Sequence, residues 1–275
     1  MTTDRLPIRI DAMTRRGSTL VLALLLAATH ACVSDPIAPS ASYPATSKPS
    51  DLDHPQPFVV ARAHHAQVRA FDFDSAGRYL YSGGDDKIVR VWDTEEMKHL
   101  RDFHLPTWKA NDGLIFDLDV SPDDRWIAVG GCQGCSGRWE AEDRYLTYVI
   151  DAVTGEIVSS IQLDGSLRTL AYSPDGDCLA TGDFGGTLHI WRVEEDGRLF
   201  EASEMKGHGA AITDLAWFPE STRIVSTAED GLVVMWSVHP FGGWFPEWHI
   251  SHEVSLNAIA VAADGIWILC ATDNG

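Results

Sequence analysis

The 275-residue chain is poor in cysteine and in basic residues. Its five cysteines are too few and too unevenly spaced to predict a disulfide scaffold or a zinc finger. Lys and Arg total 21 against 40 Asp and Glu, which gives a formal net charge of −19. A field of that sign repels phosphate backbones and anionic lipid headgroups, so we expect no nucleic-acid partner.

The composition is otherwise that of a globular protein. Hydrophobic residues make up 45% of the chain and charged residues 22%. These values exclude wholesale disorder and a multi-span membrane protein. The length allows one large all-β domain or two small domains.

Residues 1–32 have the order of a secretory signal peptide. Arg15 and Arg16 precede the apolar run Leu20–Ala28, and small and polar residues follow up to Cys32. The run has nine residues, whereas a membrane-spanning helix needs about 20, so cleavage is favoured over a helical anchor. The residues before Cys32 resemble a bacterial lipoprotein processing site, which makes Cys32 the candidate lipidation site. A plain secreted protein is the alternative.

A Pro/Ser-rich linker follows the signal segment. Residues 33–57 contain six prolines and five serines, and they have too few large apolar groups to order themselves. The true start of the chain is Met1 or Met13. We expect an exported protein of the cell envelope, periplasmic or held at the membrane by a lipid on Cys32, with a cytoplasmic location as the alternative.

From Phe58 onward the sequence repeats a pattern of strands and turns. An alternating apolar pattern that ends in a tight turn recurs in three segments: 68–77, 167–176 and 256–265. A short second strand follows each turn, and the complete units add a third strand with a Trp near its end. Trp191 and Trp236 lie 45 residues apart.

Periods of ~40 to 45 residues with Gly-His and Trp-Asp signals are typical of four-stranded propeller blades. Over residues 58–275 the chain resembles the WD-repeat β-propeller family. The resemblance implies an all-β fold, a β-propeller of four-stranded antiparallel blades, with four complete repeats and a partial fifth in this chain.

In that family a His, a Ser or Thr, an Asp and a Trp form a hydrogen-bonded chain that locks each blade. The resemblance assigns this structural role to His64, Ser82, Asp86, Trp92, Thr181, Trp191, His208, Ser226, Asp230, Trp236 and His252. A buried Asp and a buried indole N–H both need hydrogen-bond partners. We therefore interpret the recurring His, Ser and Asp as structural and not as a catalytic triad, because no nucleophile-elbow sequence accompanies them.

Three units depart from this pattern, and we expect packing to hold the second and third of the five. The third unit has Leu163 and Gly185 at the His and Asp positions. The second unit has Asn111, Val129 and Ile150 at the His, Ser and Trp positions. In the fifth, Cys270 and Asn274 replace the Ser and Asp, and the sequence stops at Gly275 before a third strand. We therefore expect a C-terminally incomplete record, with two or three further blades in the full protein by family resemblance.

The cysteine pair Cys132 and Cys135 matches no cofactor motif. Ser136 follows it, which excludes covalent haem attachment of the Cys-x-x-Cys-His kind, and one pair is only half of a zinc site. In an exported protein the pair favours a disulfide, with free thiols or redox activity as alternatives. We predict no catalytic residues, no metal and no cofactor.

The resemblance points to one binding surface, the top face, formed by the loops before the first strand and between the second and third strands of each blade. Its candidate partner-binding residues are Gln67, Arg69, Asp85, Phe116, Ser166, Arg168, Thr213, Glu229 and Asn257. Arg69 and Arg168 would suit a carboxylate-bearing partner through bidentate contacts. The insertion 132–144, which contains Trp139, is expected to project from the same face.

A second aromatic group lies near the outer strand of the fourth unit. Trp244, Phe245 and Trp248 are either packed against the next blade or part of a partner surface.

The sequence therefore predicts a non-catalytic protein-binding scaffold that presents its top face to a protein or peptide. Two alternatives remain open. One is a propeller-supported hydrolase or lyase whose active site lies in a missing C-terminal part. The other is a cytosolic scaffold of the same fold.

Overall fold

The computed structural model describes residues 64–106, 113–132, 146–238 and 243–272, and every regular element in these ranges is a β-strand. The strands are β1 (Val68–Phe73), β2 (Tyr79–Gly84), β3 (Ile88–Asp93), β4 (Lys98–His104), β5 (Leu114–Val120), β6 (Trp126–Cys132), β7 (Leu146–Asp151), β8 (Ile157–Gln162), β9 (Leu167–Tyr172), β10 (Cys178–Asp183), β11 (Thr187–Val193), β12 (Leu199–Lys206), β13 (Ile212–Trp217), β14 (Arg223–Ala228), β15 (Leu232–Val238), β16 (Trp244–Ser251), β17 (Leu256–Val261) and β18 (Ile268–Thr272). The predicted signal segment and linker, residues 1–57, lie outside the described residues.

The strands form five antiparallel sheets in which sequence neighbours pair. Blades 1 to 4 are the four-stranded sheets β1–β4, β5–β8, β9–β12 and β13–β16, and the fifth unit is the pair β17–β18. The prediction of a β-propeller with four complete blades and a partial fifth is confirmed.

Tight turns join the first and second strands where the sequence predicts them. Gly77, Gly176 and Gly265 adopt φ values of 68°, 81° and 68°, which lie in the left-handed region that glycine enters without steric cost. Each glycine N–H donates to the carbonyl three residues earlier, at 2.9, 2.9 and 2.8 Å. The turns therefore fix the hairpin that begins each of these units.

Apolar clusters lie between consecutive blades. Tyr81 and Val91 of blade 1 pack with Ile115, Leu118 and Val129 of blade 2. Equivalent clusters fill the next three interfaces, and the first strands β1, β5, β9, β13 and β17 lie side by side along the inner edge. Burial of these apolar faces holds the blades together.

The fifth unit is two-stranded within the described residues. Leu269 on β18 is 59% exposed, whereas the residues at the same place in blades 1, 3 and 4, Tyr81, Ala180 and Val225, are buried. Leu269 therefore lies on the face that a following blade covers elsewhere in the molecule.

Candidate protein-binding face

The first strand of each unit carries a β-bulge near its upper end. The register shifts leave one residue of each strand without a partner position: Arg69, Phe116, Arg168, Thr213 and Asn257. A bulge re-aims the side chain of the extra residue and bends the strand. The fold thus places five of the nine candidate binding residues at equivalent bulges around the top face.

Two arginines and two aromatic rings form a continuous stack on this face. The Arg69 guanidinium carbon lies 5.0 Å from the centroid of the Phe116 ring, and the Phe116 and Phe184 rings are 5.9 Å apart. The Arg168 guanidinium carbon lies 5.6 Å from the Phe184 centroid. We call these four residues the arginine–phenylalanine ladder. It spans blades 1 to 3 and presents Phe184 to solvent with 43% of its surface exposed.

The ladder is anchored at one end by an ion pair. Arg69 donates from both Nε and Nη2 to the Asp85 carboxylate, and the Nη2–Oδ2 distance is 3.1 Å. Asp85 thus binds two nitrogens of the Arg69 guanidinium in the partner-free chain, and the expected bidentate contact of Arg69 with a partner carboxylate stays a prediction. Burial raises the pKa of Asp214 to about 6, and the positive charge of Arg168 has a smaller, opposite effect on that pKa.

The remaining candidates lie in loops and turns of the top face. The Gln67 carbonyl accepts from the Asp85 N–H at 2.9 Å, and the Ser166 carbonyl accepts from the Phe184 N–H at 3.0 Å. The Glu229 N–H donates to the Ala211 carbonyl at 3.0 Å. Phe184 was not among the predicted residues. It occupies the turn position of Asp85 and Glu229, directly before the lock Asp position, so the repeat alignment could have found it.

Within the first blade and within the fourth blade, the predicted lock residues are hydrogen-bonded to one another. In blade 4, His208 Nε2 lies 2.7 Å from Ser226 Oγ, and the Trp236 indole N–H donates to the same oxygen at 2.9 Å. The Asp230 carboxylate lies 3.3 Å from His208 Nδ1. With Asp230 accepting from Nδ1–H, Nε2 accepts from the Ser226 hydroxyl, so each polar group has a partner. Burial lowers the pKa of His208.

Blade 1 repeats this geometry, with Arg90 added. His64 Nε2 lies 2.8 Å from Ser82 Oγ, which also accepts from the Trp92 indole N–H at 2.8 Å. The Asp86 carboxylate lies 2.9 Å from His64 Nδ1. The neighbouring His64 and Arg90 hydrogen bonds lower the pKa of Asp86 against a desolvation effect that raises it.

The lock geometry argues against a catalytic triad. Ser226 is completely buried, and its oxygen is already hydrogen-bonded to both Trp236 and His208. A nucleophile must be reachable by substrate and within range of its base. Ser226 satisfies the second condition and fails the first.

Blade 3 keeps half of the lock and replaces the rest. The Trp191 indole N–H donates to Thr181 Oγ1 at 3.0 Å, while Leu163 is buried at the His position. Asp183 is the acceptor in the turn between β10 and β11, since its carboxylate accepts from the Thr187 N–H at 2.8 Å. The His189 ring stacks on Trp191 with centroids 5.7 Å apart. The sequence reasoning missed Asp183 and His189, although both lie within two residues of predicted lock positions.

The second and fifth units differ from the full lock. Val129 and Ile150 are buried in the apolar contact between blades 1 and 2. In the fifth unit the His252 side chain is exposed, and within the described residues it makes no hydrogen bond to Cys270. Because the described residues of this unit contain only two strands, the assignment of His252 to a lock stays a prediction. Asn111 and Asn274 lie outside the described residues.

Carboxylates on the inner strands join neighbouring blades, a feature that the sequence analysis did not identify. Each accepts a backbone N–H from the next blade or unit: Asp72 from Val120 at 2.9 Å, Asp117 from Leu170 at 2.8 Å, Asp119 from Tyr172 at 2.6 Å and Asp214 from Ile259 at 2.8 Å. Burial raises the pKa of all four groups, to about 7 for Asp117. These contacts are structural and connect strands far apart in sequence.

The aromatic residues of the fourth blade are at least partly packed. The Trp244 ring lies 5.5 Å from the Trp217 ring, edge to face, and Trp248 packs against the cluster between blade 4 and the fifth unit. Phe245 is also half-buried. Core packing therefore explains Trp244 and Trp248.

The predicted cysteine bridge falls partly on residues that are not described. Cys132 is buried at the end of β6 and is disulfide-bonded. Cys135, the rest of the insertion with Trp139, and Cys32 lie outside the described residues, so the pairing of Cys132 with Cys135 stays a prediction.

Within the described ranges, no three or more His, Cys, Asp or Glu side chains are grouped to hold a metal ion. The same ranges contain no helix long and apolar enough to cross a membrane.

Comparison with known proteins agrees with the fold. The WD domain, G-beta repeat family matches residues 56–93, 103–136, 155–192 and 201–237. These four matches cover more than half of the sequence. The chain belongs to the WD-repeat family.

The similar proteins include echinoderm microtubule-associated protein-like 1 of Homo sapiens, 31% identical over 184 residues, which cover 64% of this chain and 20% of that protein. The 77 kDa echinoderm microtubule-associated protein of Strongylocentrotus purpuratus is 28% identical over 182 residues, 65% of this chain and 24% of that protein. The chain thus spans about a fifth to a quarter of the length of these curated relatives.

Proposed function

We propose that this chain is a non-catalytic scaffold that binds another protein or a peptide on its top face. The observation that carries the proposal is the arginine–phenylalanine ladder, in which Phe184 is exposed between Phe116 and Arg168. Aromatic residues, Phe among them, and Arg are enriched at the cores of protein interfaces. Membership of the WD-repeat family supports the same reading.

The ladder is held in place before any partner arrives. Asp85 fixes the Arg69 guanidinium, and the ring contacts fix the order Arg69, Phe116, Phe184, Arg168. Side chains that are already ordered lose less conformational entropy on binding. A rigid face of this kind suits recognition, and the buried lock serines argue for a role without catalysis.

A comparison of variants tests this function. Proteins captured by the full chain are compared with those captured by Phe184→Ala, by Arg168→Ala and by Phe200→Ala. Phe200 is a matched control, because it is 51% exposed and Arg198 lies 5.9 Å from its ring, but it lies on the outer strand β12. We expect a partner retained by Phe200→Ala and lost by Phe184→Ala. Partners retained equally by Phe184→Ala and Arg168→Ala would overturn the proposal.

We further propose that the chain is exported and lipidated at Cys32. The support is the order of residues 1–32 in the sequence, with Arg15 and Arg16 before the apolar run. Expressed in a bacterium, the wild type should partition with membranes, and Cys32→Ser should be released or remain unprocessed. A wild-type protein left unprocessed in the cytosol would reject export, and a processed soluble form would reject lipidation alone.

The similar proteins favour a second candidate, association with microtubules. Two relatives are named microtubule-associated, although this chain spans about a fifth to a quarter of their length. Co-sedimentation of the full chain with assembled microtubules tests it. Sedimentation that is lost in Phe184→Ala would identify the top face as the contact, and absence of sedimentation would reject this candidate.

A further inference from the structure

Acidic side chains lie on the same face as the ladder. Asp164, Glu229 and Glu253 have exposed side chains, and within the described residues none of the three takes part in an ion pair. They lie in top-face loops of blade 3, blade 4 and the fifth unit. We call these three residues the acidic arc.

Backbone contacts make the loops of the arc one continuous surface with Phe184. The Phe184 N–H donates to the Ser166 carbonyl, two residues from Asp164. On the other side, the Phe184 turn lies against the loop before β13, because a Cβ at Gly186 would lie 2.6 Å from the His208 carbonyl oxygen. The Ala211 carbonyl of that loop accepts from the Glu229 N–H at 3.0 Å, and the Gly231 carbonyl accepts from the His252 N–H at 2.8 Å, which joins the Glu229 turn to the Glu253 loop. An occupant seated on Phe184 would therefore meet carboxylates within the same surface.

The two arginines of the ladder are less available than the carboxylates of the arc. Asp85 pairs with Arg69, and Arg168 lies over the Phe184 ring. Each of the three residues of the arc retains an unpaired charge within the described part of the chain. The whole chain carries a formal charge of −19, which attracts cationic partners and repels anionic ones over long distances.

From this complementarity we infer that the top face takes a cationic peptide segment with one large apolar or aromatic anchor. The anchor packs on Phe184, and flanking Lys or Arg side chains face Asp164, Glu229 and Glu253. This inference rests on the proposed function and adds the chemistry of the partner. It replaces the carboxylate-bearing partner expected from Arg69 and Arg168.

The test selects peptides from a random library without assuming a partner. A phage-displayed library of random linear peptides is selected on the full chain, and the enriched peptides are then assayed on Phe184→Ala, Arg168→Ala and Phe200→Ala. Each enriched peptide is also synthesised with its anchor changed to Ala and, separately, with its Lys and Arg changed to Glu.

The role of the arc is tested with a matched pair of double variants. Glu229→Gln with Glu253→Gln removes two charges of the arc. Glu194→Gln with Glu195→Gln removes two exposed charges from the turn between β11 and β12, at the end of β11 opposite to the Phe184 turn. Melting temperatures check that every variant is folded.

We expect net-positive peptides whose affinity falls about tenfold or more with Phe184→Ala or with loss of the anchor. The arc variant should weaken binding about three- to tenfold at low salt and less at high salt, and the Glu194 and Glu195 variant should not. Peptides that require Phe184 but are neutral or acidic would overturn the inference. Peptides that require Phe184 but bind the arc variant unchanged would also overturn it. Neither result would contradict the proposed binding on the top face. An empty selection would also overturn the inference. Enriched peptides indifferent to both Phe184→Ala and Arg168→Ala would overturn the proposed function itself.

Discussion

Asp117 Oδ2 accepts a hydrogen bond from the backbone N–H of Leu170 at 2.8 Å, across the boundary between blades 2 and 3. The carboxyl is surrounded by protein, and burial raises its pKa to about 7, with a smaller contribution from the charge of Asp214. The contact therefore gives the Leu170 N–H a hydrogen-bond partner. It also places the Asp117 carboxyl where its ionisation destabilises the folded state.

The raised pKa of Asp117 makes the stability of the folded chain depend on pH. The folded state binds more protons than the unfolded state between about pH 4 and 7, so the Asp117 contribution to stability is lost as pH rises through that window. Asp117→Asn keeps an oxygen that accepts from Leu170 and removes the ionisation. At pH 8 we expect the variant to be more stable than the wild type by about 1–3 kcal/mol, with a much smaller difference at pH 5.

Urea unfolding of both proteins at pH 5, 6, 7 and 8 measures this difference. Glu195→Gln, a change at an exposed turn, is the control and should show no such trend. A difference between Asp117→Asn and wild type that stays constant with pH would contradict the prediction.

The lock of blade 4 should contribute more to stability than the partial lock of blade 3. Ser226→Ala leaves two buried groups without a partner, the Trp236 N–H and His208 Nε2. Thr181→Val leaves one, the Trp191 N–H, at nearly constant side-chain volume. Because each orphaned buried group costs about 1–3 kcal/mol, we expect Ser226→Ala to lower the free energy of unfolding by roughly twice as much as Thr181→Val.

Denaturant unfolding at pH 7.5 gives the free energy of unfolding of both variants. The slope of that free energy against denaturant concentration shows whether both variants expose the same surface area on unfolding. Equal losses for the two variants would mean that His208 is satisfied by other means and that the lock does not act as a unit.

The sequence predicts local features well and contacts between distant segments poorly. Turns at Gly77, Gly176 and Gly265 follow from a short pattern, because positive φ selects glycine. Asp117 was not identified, since its partner Leu170 lies 53 residues away and no local pattern in the sequence indicates that contact. Phe184 was missed for a different reason: an exposed aromatic breaks the polar pattern of the turns, and its neighbours Phe116 and Arg168 adjoin it only in the fold.

The cysteine pair gives a prediction on the loop that follows β6. We expect Cys132 and Cys135 to form a disulfide in exported material, because oxidising compartments favour it. A loop stiffened in this way loses less entropy on binding, so reduction should weaken partner affinity and leave blade stability nearly unchanged. Cys178 and Cys270 are free thiols and serve as internal controls for alkylation of the unfolded chain.

Mass spectrometry after alkylation without reductant decides the pairing. Modification of both Cys132 and Cys135 would show that there is no bridge between them. If the pair Cys132→Ser and Cys135→Ser leaves affinity unaffected, the loop is not part of the binding face.

Close approach between blades 3 and 4 depends on the absence of a side chain at Gly182. A Cβ at this position would lie 2.7 Å from Ile212 Cγ2 and 2.9 Å from Ile212 Cβ, inside any normal contact distance. Ile212 is fully buried on the first strand of blade 4, so it has little room to move. Gly182→Ala should therefore lower the free energy of unfolding by about 1–3 kcal/mol, because the two blades must separate to accept one methyl group.

Gly209→Ala is the matched control, since its nearest neighbour would be Asp230 Oδ2 at 3.8 Å, and it should change stability by less than about 0.5 kcal/mol. Denaturant unfolding compares the two variants, and a Gly182→Ala protein as stable as Gly209→Ala would show that this interface is not tightly packed.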